Sequence, residues 1–318
     1  MPNSVPAIAY NQFSSIEALE SAYCNTSSFR VVQLEKGTLD CRIYRLVLEH
    51  GIFEFRQLET PLRIWGEKSS ENITFELVLS PICGDYLSHG FRIINNTLYG
   101  FDSNRNIDLR LPKNLLMGTL IIKKKFFQNY LKLMAREDID QSLLSSNYLQ
   151  IGNQFDILQT YLLELYGLVK TRANFLNQAK INKLLLEDYL PLLITAIPPT
   201  NCHYSSSLKY SHRWKLVKQV ESHLLNHLDQ PITLKELCEK FYITKTPLNY
   251  AFQEMLGLSP LAYLKLLRLH AIHRVLKSAD PETRITSLMH QFGFWHAGRF
   301  SMDYKKLFGE SPSETLKK

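Results

Sequence analysis

Asn249 and Gln253 stand four residues apart, and Thr246 lies three residues before Asn249, so a helix here would carry all three on one face. Asn and Gln amides can each form two hydrogen bonds with adenine, and the Thr methyl group can contact thymine. Farther along the chain, Arg299 could hold guanine with two hydrogen bonds. The chemistry offered is the reading of base edges, not the making or breaking of bonds.

Motifs of enzymes do not occur in the sequence. It has no glycine-rich phosphate loop, no HExxH and no GxSxG, and its five cysteines are not spaced as a zinc or redox site. His223 and His227 stand four apart and could share a metal, but no third ligand is spaced nearby. We expect no enzyme activity, no metal and no cofactor; an enzyme with an appended DNA-binding module is the less favoured alternative.

The cellular location follows from what the sequence does not contain. No apolar run approaches the length of about 20 residues that spans a bilayer, and the amino terminus lacks the pattern of a secretory signal. The scattered cysteines are expected to be reduced thiols. We therefore expect a cytoplasmic protein with no membrane partner.

Positive charge is concentrated in the last third of the chain. Residues 212–318 hold 16 Lys and Arg against 10 Asp and Glu, whereas residues 1–211 hold 21 against 20. A small basic module beside a neutral larger one indicates a polyanionic partner, most simply double-stranded DNA. On charge alone, a lysine-rich solvated surface is an equal alternative.

An internal repeat organises this basic part. Two positions recur after 51 residues and four more after 52, so the second copy has one extra residue in its turn. The pairs are Leu237 and Leu288, Phe241 and Phe292, Phe252 and Tyr304, Gly257 and Gly309, Ser259 and Ser311, and Pro260 and Pro312. The repeat predicts a duplicated supersecondary motif.

Each copy of the repeat has the pattern of a helix-turn-helix. The first lies near 233–256 and the second near 285–308. In the first, Thr233 and Glu236 form a capping box, Thr244 can cap the second helix, and Gly257 ends it. A connecting helix follows Ser259 and, over about 19 residues, would be roughly 28 Å long. That is near the ~34 Å between successive major-groove faces on one side of B-DNA, so the two reading helices could enter adjacent grooves.

The helix faces opposite the apolar stripes are the candidate contact surface, with plain solvated residues as the alternative. Amide groups at helix starts and the lysines would bind phosphates and fix the register. The candidate DNA-binding residues are Lys245, Thr246, Asn249, Tyr250, Gln253, His296, Gly298, Arg299, Met302, Lys305 and Lys306.

Two stretches of this part resemble the DNA-binding domain of the AraC/XylS family of bacterial transcription regulators. They are Leu248-x3-Phe252-x4-Gly257-x-Ser259-Pro260-x2-Tyr263-Leu264-x3-Arg268-Leu269 and Gly293-Phe294-x5-Phe300-x3-Tyr304-x3-Phe308-Gly309-x-Ser311-Pro312. The residue sequence of the second stretch is similar to that of the subgroup that contains the ethanolamine-operon regulator. The resemblance implies two helix-turn-helix subdomains on a long helix, control of transcription, more often activation, and an amino-terminal domain that senses a small molecule or dimerises.

The resemblance also implies which positions read bases. They map onto Thr246, Asn249 and Tyr250 in the first reading helix, and onto Gly298, Arg299 and Met302 in the second. Arginine is frequent in the family where Tyr250 and Met302 stand, and polar side chains are frequent where Gly298 stands. Sequence specificity is therefore expected to depend more on the first helix, with the second holding phosphate.

Residues 1–196 carry no comparably specific motif. Short strands between about 29 and 122 predict a barrel or sandwich, and helices follow from about 126 to 194, so the fold class is α+β with an all-α domain at 212–318. Pro198, Pro199 and the serines Ser205–Ser207 indicate a linker over 197–211. In Ile52–Arg56, phenylalanines alternate with charges, which predicts a half-buried strand.

Aromatic side chains on these strands leave two interpretations open. They could line a ligand-binding barrel or simply fill the core; the residues are Tyr44, Phe53, Phe55, Trp65 and Phe75. The first hypothesis is a regulator with double-stranded DNA, RNA polymerase and a small-molecule effector of unspecified identity as partners. The alternative is a ligand-independent regulator whose amino-terminal domain mediates protein contacts, with the helices near 155–175 and 180–194 as the seam of a homodimer.

Overall fold

The computed structural model describes residues 8–23, 27–176, 179–199, 212–280 and 282–317. Most of the predicted linker, including Ser205–Ser207, lies outside the described residues. The described chain has the expected α+β architecture, with a strand-rich amino-terminal part and a helical carboxyl-terminal part. Within these ranges no helix is long and apolar enough to span a bilayer.

Two antiparallel sheets form the amino-terminal part. Their strands are β1 (Ile8–Phe13), β2 (Ser27–Gln33), β3 (Cys41–Val47), β4 (Gly51–Leu58), β5 (Leu62–Lys68), β6 (Asn72–Val78), β7 (Leu87–Ser88), β8 (Phe91–Arg92), β9 (Thr97–Tyr99), β10 (Ile107–Leu111), β11 (Leu115–Lys123) and β12 (Tyr148–Gln150). The larger sheet has the order β1-β3-β4-β11-β6-β9-β12, and the smaller has the order β2-β5-β10-β7-β8. An apolar core that draws residues from both sheets lies between them.

Helices cover the other face of the larger sheet. They are α2 (Lys124–Leu133), α3 (Gln141–Ser146), α4 (Gln154–Thr171), α5 (Ala173–Leu176) and α6 (Ala179–Ala196), while the short α1 (Ile16–Ser21) lies between β1 and β2. The helix predicted over 155–175 is interrupted at Arg172, whose backbone leaves the helical region at φ −134° and ψ 44°. The remaining helical predictions of this part are confirmed to within a few residues.

The prediction of a half-buried strand at Ile52–Arg56 is wrong. The strand exists, but Phe53, Glu54, Phe55 and Arg56 are all buried. Phe53 and Phe55 belong to the core beneath the helices. The charged side chains face the space between the two sheets, so neither face of β4 is open to solvent.

The aromatic residues divide in the same way. Phe53, Phe55 and Phe75 belong to the helix-side core, and Tyr44 packs at its margin, so the core interpretation is correct for them. Trp65 packs against the helical part of the chain. None of these five lines the space between the sheets.

Seven helices form the carboxyl-terminal part within the described residues. They are α7 (His212–Asn226), α8 (Leu234–Lys240), α9 (Lys245–Leu256), α10 (Pro260–Ser278), α11 (Ile285–Gln291), α12 (Ala297–Phe308) and α13 (Pro312–Leu316). One apolar core joins α7, α8 and α9 to the first half of α10, and a second joins the remainder of α10 to α11 and α12. The two predicted helix-turn-helix units are thus held by two distinct apolar cores, and α10 contributes residues to both.

The outer face of the smaller sheet packs on this helical part through buried charges. Arg63 of β5 is fully buried, and its Nη2 lies 3.0 Å from Glu221 Oε2 on α7. Glu221 also accepts hydrogen bonds from Lys218 Nζ at 2.7 Å and Tyr263 Oη at 2.6 Å. Burial by itself raises the pKa of Glu221, but the charges of Arg63 and Lys218 outweigh it and lower the pKa to about 2.

Close packing around Trp214 fixes the same interface. The Trp214 ring is buried, and the Arg63 guanidinium lies 5.2 Å from its centroid. Gly90 has φ 79°, and a Cβ there would come within 2.7 Å of the Trp214 side chain. A glycine is therefore required at this point, both for the backbone conformation and for the close approach.

Candidate nucleic-acid interface

The first helix-turn-helix unit forms through local capping. Thr233 and Glu236 make the predicted capping box at the start of α8. Tyr242 then takes a left-handed conformation with φ 51°, and the Ile243 amide donates to the Cys238 carbonyl at 3.0 Å. This bond closes the helix end in the Schellman pattern and turns the chain into α9. Thr244 precedes α9 as predicted, but its side chain makes no capping hydrogen bond.

The second unit repeats this turn with a different residue at its centre. Gly293 has φ 75°, and the Phe294 amide donates to the Met289 carbonyl at 2.9 Å. Trp295 is the additional residue that the repeat predicts in this turn, and α12 begins two positions after it, at Ala297. Gly309 ends α12 in the same left-handed conformation in which Gly257 ends α9.

The predicted base readers of the first helix form one accessible face. Lys245, Thr246, Tyr250 and Gln253 are exposed, and Asn249 is half-buried. The Asn249 side-chain amide donates to the Lys245 carbonyl at 2.9 Å, and the Gln253 amide donates to the Gly257 carbonyl at 3.2 Å. Each amide side chain therefore makes a local contact that a base edge would replace.

The predicted residues of the second helix are all exposed. They are His296, Gly298, Arg299, Met302, Lys305 and Lys306. A Cβ placed on Gly298 meets no atom within 4 Å, so packing does not require glycine at this position. The reading face of α12 therefore has no side chain at Gly298, in the first turn, where recognition helices make base contacts.

Three exposed side chains beside these faces were not predicted. Tyr242 is 97% exposed and Trp295 is 72% exposed, and both lie in the turn that precedes a reading helix. Trp295 stacks on His290 with ring centroids 5.3 Å apart. Arg213 of α7 lies 4.6 Å from the Tyr250 ring and pairs with Glu254. Tyr242 and Trp295 each stand just before a predicted recognition helix. This position was the sequence signal that could have identified them as candidate contacts.

The amino-terminal part contacts the carboxyl-terminal ends of both reading helices. Arg110 of β10 donates to the Glu254 carbonyl at 3.2 Å, in the last turn of α9. The Gly37 amide donates to the Lys306 carbonyl at 3.0 Å, in the last turn of α12. The first turns of α9 and α12, with Lys245, Thr246, Gly298 and Arg299, stay exposed, whereas Lys305 and Lys306 lie in the last turn of α12 beside the Gly37 contact.

The two histidines on α7, His223 and His227, contact each other and the helix backbone. His227 Nδ1 lies 2.7 Å from the His223 carbonyl oxygen, and the two ring centroids are 4.2 Å apart. Among the described residues, no group of three or more histidine, cysteine or acidic side chains is placed to hold a metal.

Comparisons with known proteins agree with the arrangement of the carboxyl-terminal helices. Residues 237–318 match the family described as a helix-turn-helix domain. The probable thc operon regulatory protein of Rhodococcus erythropolis is 34% identical over 103 residues, which cover 32% of this chain and 31% of that protein. XylDLEGF operon transcriptional activator 3 of Pseudomonas putida is 27% identical over 157 residues, covering 49% of this chain and 46% of the activator.

A solved structure is similar over the same region. A probable AraC family transcriptional regulator from Rhodopseudomonas palustris has 36% sequence identity, with 32% of this chain and 95% of that chain covered and a TM-score of 0.31. The present chain spans between about a third and a half of the length of the two curated relatives named above.

Proposed function

We propose that this chain is a transcription regulator of the AraC/XylS type, which binds specific DNA sequences and activates transcription. The observation that supports this most directly is the pair of helix-turn-helix units on one connecting helix, each with an exposed reading face. The Pseudomonas putida relatives are named as operon transcriptional activators, which supports activation rather than repression. The regulator would act in the cytoplasm, where it meets its DNA and RNA polymerase.

The length of the connecting helix supports contact with two adjacent major grooves. Helix α10 has 19 residues, which correspond to roughly 28 Å at 1.5 Å per residue. Successive major-groove faces on one side of B-DNA are ~34 Å apart. Since each reading helix adds its own offset from the end of α10, the two readers can lie one helical turn apart on the DNA.

The proposal is tested by mapping the bound sites across the genome and then titrating the full chain onto one of those sites. We expect a footprint over two neighbouring major grooves on one DNA face. Affinity should fall steeply as salt rises, because lysine contacts to phosphates release counterions. Affinity that does not respond to ionic strength, or a footprint of a single groove, would contradict the proposal.

Replacing Asn249 by alanine should separate base reading from phosphate binding. We expect a loss of about 1–3 kcal/mol of binding free energy at particular base pairs, because a bidentate base contact is removed. Lys306→Ala is the matched comparison: its backbone bond to Gly37 stays intact, and binding should weaken for all sequences alike. Binding measured across a panel of single-base variants of the site distinguishes the two patterns. Equal behaviour of the two variants would contradict the assigned roles.

Exposed apolar side chains support a second role for the amino-terminal part, contact with another copy of the chain. Ile157 on α4 is 47% exposed and Leu184 on α6 is 44% exposed. In this alternative the regulator needs no effector, and these helices form the seam of a homodimer. Sedimentation of the full chain tests it: a monomer at all concentrations, or a dimer unchanged by glutamate at both positions, would contradict it.

A further inference from the structure

The amino-terminal part binds the equivalent backbone carbonyl in each of the two reading helices. Arg110 of β10 donates to the Glu254 carbonyl of α9 at 3.2 Å. The Gly37 amide donates to the Lys306 carbonyl of α12 at 3.0 Å. Glu254 and Lys306 are 52 residues apart, which is the period of the internal repeat at this point. Each helix-turn-helix unit is thus attached to the amino-terminal part at the same position.

These carbonyls belong to the groups that a helix cannot satisfy by itself. The last four carbonyls of an α-helix have no partner within the helix. The amides of Gly257 and Gly309, which end the two helices, donate to the carbonyls of Gln253 and Lys305. The next carbonyl in each helix takes its donor from the amino-terminal part. The contact therefore caps the helix and also fixes where its end lies.

One row of residues across the smaller sheet is attached to the first unit. Val32 of β2, Arg63 of β5 and Arg110 of β10 are direct neighbours in the strand register, so they lie on one face of the sheet. Val32 belongs to the apolar core of the first unit, and Arg63 pairs with Glu221 on α7. A Cβ on Gly257 would come within 2.6 Å of the Arg110 guanidinium. The end of α9 is therefore in close contact with β10.

The turn between β2 and β3 attaches the same sheet to the second unit. Gln33 is 2% exposed, and its side-chain amide lies 2.8 Å from the Glu35 carbonyl oxygen and 3.3 Å from the Leu307 carbonyl oxygen. One amide group thus joins the turn to the end of α12. A Cβ on Gly309 would come within 2.7 Å of the Thr38 methyl group, so the turn and the helix end are closely packed.

Helix α10 is held on the same side, between the two units. Arg274 donates to the Val31 carbonyl of β2 at 3.1 Å and to Glu20 of α1 at 2.9 Å. His270 Nε2 lies 3.3 Å from the Gln33 carbonyl oxygen. The amino-terminal part therefore supports the connecting helix as well as the ends of both reading helices.

On the reading side, the space between the two units is open. A cleft of about 350 Å³ lies there, and its lining includes Ile232 from the first unit and His296 and Arg299 from the second. Long helices in proteins commonly curve, so α10 with its 19 residues does not fix the angle between the units by itself. Bending of α10 about this cleft would change the distance between the two readers. The contacts on the opposite side oppose that bending.

We propose that the smaller sheet and its β2–β3 turn hold the two reading helices at one spacing and one angle, with Arg110 and Gln33 as positioning residues. The regulator is then preformed for one separation of its two half-sites on DNA. Since preformed helices lose little conformational freedom on binding, that separation is bound more tightly than any other. The preference on DNA rests on the proposed function, whereas the fixed geometry of the helices does not.

The geometry is tested on the full chain without DNA. Nitroxide labels on keto amino acids that replace Tyr250 and Met302, both exposed, report the distance between the reading helices by pulsed electron paramagnetic resonance. We expect a narrow distance distribution. Arg110→Met together with Gln33→Met removes the bonds to the Glu254 and Leu307 carbonyls and should broaden it. Arg110→Lys, which keeps a donor, should broaden it less than Arg110→Met.

Arg136→Met is the matched control. Arg136 donates to the Ile194 carbonyl at 2.6 Å and to the Ile197 carbonyl at 2.8 Å, at the carboxyl-terminal end of α6. The control loses the same kind of bond, from an arginine to the end of a helix, but within the amino-terminal part alone. Its distance distribution and its preference on DNA should equal those of the wild-type chain.

The preference on DNA is measured on one mapped site, with one base pair inserted or removed between its half-sites. One base pair moves a half-site by about 3.4 Å along the axis and rotates it by roughly 35°. The wild-type chain should bind each altered site at least about ten-fold more weakly, because one helix no longer meets its groove. The double variant should lose only about three-fold on the altered sites, and it should bind the original site more weakly than the wild type, since its helices must be ordered on binding.

Each outcome decides the proposal. A broad distribution in the wild-type chain, or an unchanged one in the double variant, overturns it. A double variant weakened by the same factor at every spacing, or strengthened at every spacing, also overturns it. Should Gln33→Met fail to fold, Arg110→Met decides alone against Arg110→Lys and Arg136→Met. A narrow distribution without any DNA binding overturns only the proposed function, whereas wild-type binding that is equal at every spacing overturns only the positioning.

Discussion

Replacing Arg63 by methionine is expected to destabilise the protein by about 3 kcal/mol, since removal of one partner leaves a buried charge uncompensated. Arg63 has no exposed surface, and Glu221 opposite it is only 1% exposed. Lys218, 2.7 Å from Glu221, keeps part of the compensation, which places the loss at the lower end of the usual range of about 3–5 kcal/mol.

Urea unfolding of the full chain measures this effect. Arg42→Met is the control, because Arg42 pairs with Asp40 at a partly exposed site, where an ion pair contributes about 0–1 kcal/mol. Adding Glu221→Gln to Arg63→Met should recover part of the loss, since the unpaired carboxylate is removed. The loss should also shrink below pH 4.5, because Glu221 without Arg63 takes up a proton more readily than in the native network. A loss as small as that of the control would contradict the buried network.

Replacing Phe252 by alanine is expected to cost about 3–5 kcal/mol and to abolish reading by the first helix-turn-helix unit. Phe252 is fully buried in the core of α7, α8 and α9, with its ring 6.1 Å from that of Tyr263. Removal of a large aromatic side chain from a close-packed core leaves a cavity that the surroundings fill only in part. Because this core also contains Val32 and Leu87 of the smaller sheet, the cavity should weaken the contact between the two parts of the chain as well.

Tyr250→Ala is the matched variant on the opposite face of the same helix. Tyr250 is 56% exposed and contacts Arg213, so its loss should change stability by about 1 kcal/mol at most while still weakening DNA binding. Circular dichroism and footprinting of both variants separate folding from reading. A stable Phe252→Ala protein with a normal footprint over both grooves would contradict the assignment of this core.

The carboxyl-terminal part was predictable because its signals are local. A capping box, glycines at helix ends and a stripe of apolar residues each act within a few residues, so α8 was predicted to within one residue at each end. The extra residue in the second turn was predicted from the repeat alone. The exposure of Trp295 could not be predicted, because the accessibility of a turn residue depends on what packs over the turn.

The amino-terminal part was predictable only in outline. The strand Leu62–Lys68 was missed because Arg63 and Gly66 interrupt its apolar pattern. Arg63 can be buried there because its charge is compensated by Asp108 of β10 and by Glu221, which lies on a helix 158 residues away along the chain. The half-buried reading of Ile52–Arg56 was wrong for a similar reason: which face of a strand meets solvent depends on what covers it, and the larger sheet is covered on both sides.

Strand β10 is the common boundary of the two halves of the molecule. Leu109 faces the space between the two sheets on one side, while its neighbour Arg110 donates to the last turn of helix α9 on the other. Their Cα atoms are separated by a single peptide link, about 3.8 Å. A shift of Leu109 would therefore reach the contact between Arg110 and helix α9 through this one peptide link.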